Sequence, residues 1–295
     1  MTLLSSIRVS DRTWMLTFDD DISVMIIIGT QHTVLCDTHL GPDSIQEING
    51  FLASIDHPDN LFIFNSHSDW DHIWGNCAFP DSIIAAHTTC RKRMSERSAF
   101  DLVRNGGKTR GPVQILLPNL TFDSRLCLEN DDIEFMHAPG HTIDSSVCLD
   151  RKGEILYVGD LVEDPIPYID YDRIDGYIKT LESLVSSSIQ VFISSHSGII
   201  TRDLIRSNIS YLNAVLTGKE VDMSSFGVYK AVHQANLNTL IIFRYEALAR
   251  EILGDTFSFE TFWSGIPDQE GSDQESLENF LNEYLHEIRK RKGFP

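Results

Sequence analysis

The sequence is poor in positive charge. Against 43 Asp and Glu it sets 24 Lys and Arg, a formal charge of -19, and such a surface repels phosphate backbones and anionic lipids. Nucleic-acid and membrane partners are therefore not expected, whereas a small-molecule substrate is. Cysteine is scarce too. Cys36, Cys77, Cys90, Cys127 and Cys148 are odd in number, widely spaced and without a C-x-x-C pair, which argues against a disulfide framework or a thiolate zinc site and leaves buried or incidental thiols. No apolar run approaches the ~18 residues of a membrane span. The first sixteen residues mix Ser, Arg and Asp into a moderately apolar stretch, without the basic start, apolar block and cleavage site of a secretory signal. A cytoplasmic location is expected. There is no G-x-S-x-G elbow and no Walker-type loop, so a protein-derived serine nucleophile and nucleotide hydrolysis have no support.

At 295 residues, 42% hydrophobic and 23% charged, the chain has room for one large domain with an extension. Short apolar runs up to about residue 37 read as a β-meander. Ile45, Ile48, Leu52 and Ile55 then recur at helical spacing before Leu61-Phe62-Ile63-Phe64, a continuous run suited to a strand covered on both faces. Strand, helix and strand recur at 82–86, 88–97 and between 120 and 158, and a helix at 173–186 precedes a strand at 190–194. This order predicts an α/β layering. Residues 100–118 hold Gly106-Gly107, Gly111 and two prolines and read as a loop long enough to serve as a substrate-facing flap. Beyond residue 200 the texture is helical, with helices expected at 204–216, 229–242 and 245–253. Residues 267–275 read as an acidic linker. A last amphipathic helix carries Leu277, Phe280, Leu281, Tyr284, Leu285 and Ile288 on one face. Its Arg289-Lys290-Arg291-Lys292 end suits the negative pole of the helix dipole. The division expected is 1–200 for the α/β domain and 201–295 for a helical extension that caps the site or mediates assembly, homo-oligomers included.

Chemistry concentrates at the ends of predicted strands. After the run at 61–64 comes His67-Ser68-Asp69-Trp70-Asp71-His72, four metal donors within six residues. They cannot all point one way, but a tight loop can aim two at one ion and two at a neighbour. Alone, this hexapeptide could equally be a solvated acidic turn. Three further segments weigh against that: Pro139-Gly140-His141-Thr142 in a sharp turn, Gly159-Asp160 ending an apolar strand, and Ser194-Ser195-His196 ending another.

In order and spacing these four elements resemble the metallo-β-lactamase fold superfamily, whose metal loop reads H-x-H-x-D-H and is followed by P-G-H-T, G-D and a strand-end His. The resemblance spans about 22–198. It implies a four-layered αββα sandwich with a binuclear metal centre at one edge, between the sheets. Carried over by position, His67, Asp69 and His141 would hold one metal, Asp71, His72 and His196 the other, and Asp160 would bridge them. A shared hydroxide is the implied nucleophile.

Asp69 departs from that pattern, where the superfamily usually has His. The extra carboxylate brings the nominal charge of two divalent ions, three carboxylates and one hydroxide to zero instead of +1. A more electron-rich site of harder donors moves metal preference from zinc toward iron or manganese. The flavodiiron proteins, a diiron branch of the superfamily, resemble this chain in having a carboxylate there. Residues after Gly198 lack a phosphate-binding loop, so a built-in flavin is not expected.

The leading reading is a metal-dependent hydrolase of esters, thioesters, lactones or phosphoesters, with Asp71 able to hold or relay a proton and Tyr168 able to polarise a substrate carbonyl. A non-haem diiron redox or oxygen-sensing protein is the first alternative, and a metal- or partner-binding module without turnover the second. Arg104, Lys108 and Arg110 in the flap could bind a substrate anion or be merely solvated. His32, His39, His57, His87, His137, His233 and His286 are read as structural or surface residues; Trp70 and Trp74 could line a pocket, but packing against the sandwich is the reading preferred.

Overall fold

The continuous apolar runs become strands with both faces covered, so their alternation is invisible in sequence. The computed structural model describes residues 3–224, 226–267 and 273–292. Strands β1 (Leu3–Arg8), β2 (Thr13–Phe18), β3 (Ser23–Ile28) and β4 (Thr33–Cys36) form the expected antiparallel meander. Helix α1 (Pro42–Leu52) leads to β5 (Leu61–Phe64), and β6 (Ile83–His87) and β7 (Leu120–Phe122) complete a seven-stranded sheet whose β4 to β7 are parallel. The second sheet has six strands: β8 (Arg125–Leu128), β9 (Ile133–His137), β10 (Ser146–Asp150), β11 (Ile155–Gly159), β12 (Val191–Ser194) and β13 (Gly198–Ile200). Within it only β11 and β12 pair in parallel.

Along β11, Ile155 and Tyr157 join the core between the sheets, where they meet Phe62 and Phe64 of β5, while Leu156 and Val158 face the opposite layer. That layer is built by α4 (Ile174–Ser186) and α5 (Arg202–Thr217), through Tyr177, Leu181, Ile205 and Leu212. On the far side of the first sheet, Ile45, Ile48 and Leu52 of α1 cover Ile26, Leu35 and Ile63. The fold is thus the αββα sandwich with a helical C-terminal region.

Three expectations change. Helix α3 (Thr88–Asn105) runs eight residues past its expected end, because Phe100 packs edge-on to Phe259, their centroids 5.8 Å apart. Half-buried Leu102 also joins a core cluster with Met94. The flap is therefore shorter, a 3-10 turn at Gly106–Lys108 followed by irregular chain to Asn119. Second, the two helices expected at 229–242 and 245–253 are one, α6 (Lys230–Leu253). Its Val232 packs with the sandwich and its Ile242, Tyr245 and Ala249 with the C-terminal cluster, so the buried face rotates along the helix and the periodicity is mixed. Third, α7 (Phe259–Ser264), one and a half turns long, was not expected. It is capped by Ser258, whose hydroxyl accepts from the Thr261 N–H.

Helix α8 (Gln274–Lys292) buries Leu277, Leu281, Leu285 and Ile288 in the cluster formed with α6 and α7. Phe280 and Tyr284 of the same face pack against that cluster partly buried. The linker expected at 267–275 lies largely outside the described residues. Among those described, no helix is long and apolar enough to cross a membrane.

Candidate metal centre

Three of the four ligand-bearing segments leave the C-terminal ends of strands in parallel pairs, where α/β sheets place their sites. Residues 67–72 follow β5 and continue into a short helix, α2 (Trp70–Ile73); Asp160 follows β11, His196 follows β12, and His141 sits in the turn between β9 and β10. The register of β11 against β12 shifts between Tyr157 and Gly159, a bulge that re-aims the next side chain. Gly159 has φ +54, and a Cβ there would come 2.9 Å from Ser66 Oγ, so glycine is required in both respects.

All seven expected residues converge. Asp160 Oδ2 lies 3.2 Å from His72 Nε2, 3.3 Å from His196 Nε2, 3.7 Å from His67 Nε2 and 4.0 Å from His141 Nε2. Asp69 Oδ2 is 3.2 Å from His141 Nε2 and 3.6 Å from His67 Nε2; Asp71 Oδ2 is 3.3 Å from His196 Nε2 and 3.7 Å from His72 Nε2. Donor atoms thus fall into the groups His67–Asp69–His141 and Asp71–His72–His196, with Asp160 beside both His67 and His72.

Three imidazoles are oriented by what their other nitrogen touches. His72 Nδ1 donates to Asp37 Oδ2 at 2.8 Å, and His141 Nδ1 donates to the Tyr168 carbonyl at 3.1 Å. His67 Nδ1 donates to Ser66 Oγ at 2.9 Å, and that hydroxyl donates on to Asp37 Oδ2 at 2.6 Å. With Nδ1 protonated, each Nε2 lone pair faces the centre. Asp37 also accepts from the Ser66 N–H at 2.7 Å and from Tyr157 OH at 2.8 Å. It follows β4 directly and holds φ +63, a left-handed conformation that Asp tolerates better than most residues. Sequence reasoning missed Asp37, although its place just after a strand matches that of Asp160.

Divalent metal fits this donor set. His67 Nε2 and Asp160 Oδ1 are buried without a hydrogen-bond partner, an expensive state unless something else satisfies them. Burial alone would lower the His141 pKa, but Asp69 and then Asp160 outweigh it and push the imidazole up to about 10. Burial is likewise outweighed at His72 and His196, mainly by Asp160, and both rise well above the ordinary range. Metal must displace those protons, so its affinity falls as pH falls.

Arg93 of α3 joins three ligand-bearing segments and was not singled out in sequence. Its guanidinium donates to Ser68 Oγ at 3.1 Å inside the metal loop, pairs with Asp144 at 2.9 Å beside the His141 turn, and pairs with Asp170 at 2.6 Å. The Asp170 N–H in turn donates to the His141 carbonyl at 2.8 Å. Arg93→Gln is expected to weaken metal binding about 10- to 100-fold, as loss of an outer-shell partner does, with Arg93→Lys partly restoring it. Chelator competition measures this, and unchanged affinity in Arg93→Gln would show that Arg93 does not position the ligands.

The donors open onto a cavity of about 1320 Å³. Its wall includes Trp70, Arg104, Lys108, Arg110 and Tyr168, together with Tyr229, Phe259 and Trp263 from the C-terminal region. Tyr168 is 39% exposed there, while Trp74 is buried and packs as expected. Glu163, unassigned in sequence, also lines the cavity; burial, then the charge of Asp160, push its carboxyl up to about 7. Arg110 departs from a solvated flap residue: it is buried and paired with Asp19 and, at 2.8 Å, with Asp20. His137 stays outside the centre, stacked on His87 with centroids 3.8 Å apart. Buried His39 bonds Ser44 and Asp20 at 2.8 and 3.1 Å.

A family model described as the metallo-beta-lactamase superfamily matches residues 18–196. Among curated proteins, the acyl-coenzyme A thioesterase MBLAC2 of Bos taurus is 28% identical over 189 residues, 55% of this chain and 67% of that one. Its Homo sapiens counterpart is 26% identical over the same shares. Among solved structures, the DIM-1 metallo-beta-lactamase exposed to ceftazidime superposes with a TM-score of 0.57 at 18% identity, over 73% of this chain and 98% of that one. At that identity the likeness is one of fold.

Proposed function

This chain belongs to the metallo-beta-lactamase superfamily, and from that premise we propose that it is a binuclear metal-dependent thioesterase acting on acyl-coenzyme A. The observation carrying the reading is Asp160 Oδ2, within 4.0 Å of four imidazole Nε2 atoms that divide into two donor groups. The choice of thioester rests on what the MBLAC2 relatives are named for.

His67, Asp69 and His141 would hold one ion and Asp71, His72 and His196 the other, with Asp160 shared. Bound there, divalent ions supply a Lewis acid for the substrate carbonyl and an acidified water. Asp37, directly and through Ser66, keeps the His72 and His67 rings facing the centre. Asp71, which lines the cavity, would take the proton lost by water on the carboxylate oxygen not engaged by metal and return it to the departing sulfur, so that C–S cleavage yields carboxylate and thiol. Tyr168 lines the same cavity, where its phenol would donate to the substrate carbonyl oxygen.

The test is hydrolysis of acyl-coenzyme A by metal-loaded protein, beside ester, lactone and phosphodiester probes. Thioester turnover that chelator abolishes and metal restores is expected. Protein carrying two equivalents of metal that cleaves no thioester would overturn the proposal.

Asp69 supports a second reading, a diiron redox or oxygen-sensing centre, since its carboxylate stands where imidazole is usual. Oxygen-dependent visible absorption in protein made with iron would favour it. On either reading Asp69→His is expected to shift metal content toward zinc when zinc, iron and manganese are all supplied. An unchanged zinc-to-iron ratio would show that residue 69 does not set metal preference.

A further inference from the structure

We propose that Arg104 and Lys108, on the cavity wall, form a phosphate-binding site for the substrate's leaving group, so that this chain prefers coenzyme A thioesters to phosphate-free ones. The inference rests on the thioesterase reading and identifies what the enzyme would grip besides the reacting bond.

Arg97, Phe100, Asp101 and Arg104 recur every three to four residues on α3, and all line the cavity that holds the metal donors, as one helix face should. Lys108 follows in the 3-10 turn after Gly106-Gly107 and lines it too. The cavity, about 1320 Å³, exceeds the ~300–1,000 Å³ usual for small-molecule sites and suits a large substrate.

Availability separates these two cations from their neighbours. Arg97 pairs with Asp170 at 3.2 Å and lies over the Phe259 ring, 4.8 Å from its centroid; Arg110 is engaged by Asp19 and Asp20. Among the described residues, neither Arg104 nor Lys108 has an ion-pair partner, although acids outnumber bases 43 to 24. Lys108 Nζ instead lies 5.0 Å from the centroid of the Trp70 ring, between two metal-centre residues in sequence. A cation over an aromatic face is located without being neutralised, so its charge stays available to an anion.

A simpler account holds for Arg104 alone, since a cation in the last turn of a helix complements the dipole. It does not extend to Lys108, which lies beyond the helix end. Asp21 and Asp164 on the remaining wall repel phosphate, and although Asp101 on α3 lines the cavity too, the two unpaired cations make the α3 side the place for a polyanion. A coenzyme A thioester bound there would have its carbonyl at the metal edge and its phosphates at the two cations.

The test compares one acyl group on coenzyme A and on N-acetylcysteamine, in the wild type and in the double variant Arg104→Ala/Lys108→Ala. Both side chains are exposed, so folding should survive, and circular dichroism checks it. For the coenzyme A substrate KM should rise about tenfold, as two screened ion pairs allow, with kcat nearly constant. The N-acetylcysteamine substrate should show no such rise, and the charge-retaining Arg104→Lys/Lys108→Arg should behave like the wild type. Added salt should erode the wild-type preference. Equal losses on both substrates, or none on either, would overturn the site. If the wild type cleaves neither thioester, the thioesterase reading fails, and calorimetry with adenosine 3′,5′-bisphosphate still decides the site: binding lost in the double variant upholds it, and binding absent or unchanged overturns it.

Discussion

Asp160→Asn is expected to lower hydrolysis about a thousandfold, because on the proposed function about 4 kcal/mol of charge stabilisation would depend on the metal pair this carboxylate would join. Asp69 and Asp71 each approach two imidazoles of one donor group, whereas Asp160 Oδ2 lies within 4.0 Å of imidazoles from both. An amide keeps the shape and removes the charge. Metal per chain should fall toward one or none, and elemental analysis beside kcat/KM checks both. Activity within tenfold of wild type at full metal content would show that Asp160 does not connect the two groups. The pH dependence has a definite sign. In the metal-free protein His72, His141 and His196 hold protons that their carboxylate neighbours favour, so metal uptake releases protons and tightens as pH rises. Metal uptake in weakly buffered solution should therefore acidify it.

Asp37→Ala is expected to remove about 3–5 kcal/mol of stability, the cost of breaking a buried charged network from one side, and to weaken metal binding about 10- to 100-fold. Asp37 is 1% exposed, and its two oxygens accept from the Ser66 amide and hydroxyl, His72 Nδ1 and Tyr157 OH. Alanine leaves the Ser66 amide and His72 Nδ1 buried without their acceptor, whereas Tyr157 OH keeps the Ser195 hydroxyl and the Ser23 carbonyl. Denaturant titration of metal-free protein separates the two effects. If metal-free Asp37→Ala unfolds at the wild-type midpoint, the network has little structural role; if metal affinity is also unchanged, Asp37 does not orient the imidazoles.

The candidate ligands were legible because their segments follow the ends of predicted strands, and a strand end is where a rigid sheet can present a ligand. His67 after Phe64, Asp160 after Val158-Gly159 and His196 after Ser194 follow one rule. Asp37 after Cys36 obeys it too, but its role depends on the His72 ring, which reaches it directly, and on Ser66, which links it to His67. Arg93 was less legible still. Its partners at 68, 144 and 170 come from three segments, and nothing local distinguishes an arginine that joins them from one in water.

The C-terminal region shows the same boundary. Helix α8 was readable because its Leu277–Ile288 face meets one cluster throughout, while α6 was split because its buried face changes partner midway. Arg104, Lys108 and Arg110 were indistinguishable as basic residues in a glycine-rich stretch. Only the approach of Asp19 and Asp20, some ninety residues away in sequence, engages Arg110 and leaves the other two available. The sequence by itself determined the donor residues, an α/β layering and the excess of negative charge, since these depend on residue type and local spacing. Tertiary structure decided which nitrogen of His67, His72 and His141 faces the centre, which arginine ties the ligand loops together, and which cations lack an ion-pair partner, because each depends on a partner brought across the chain by folding.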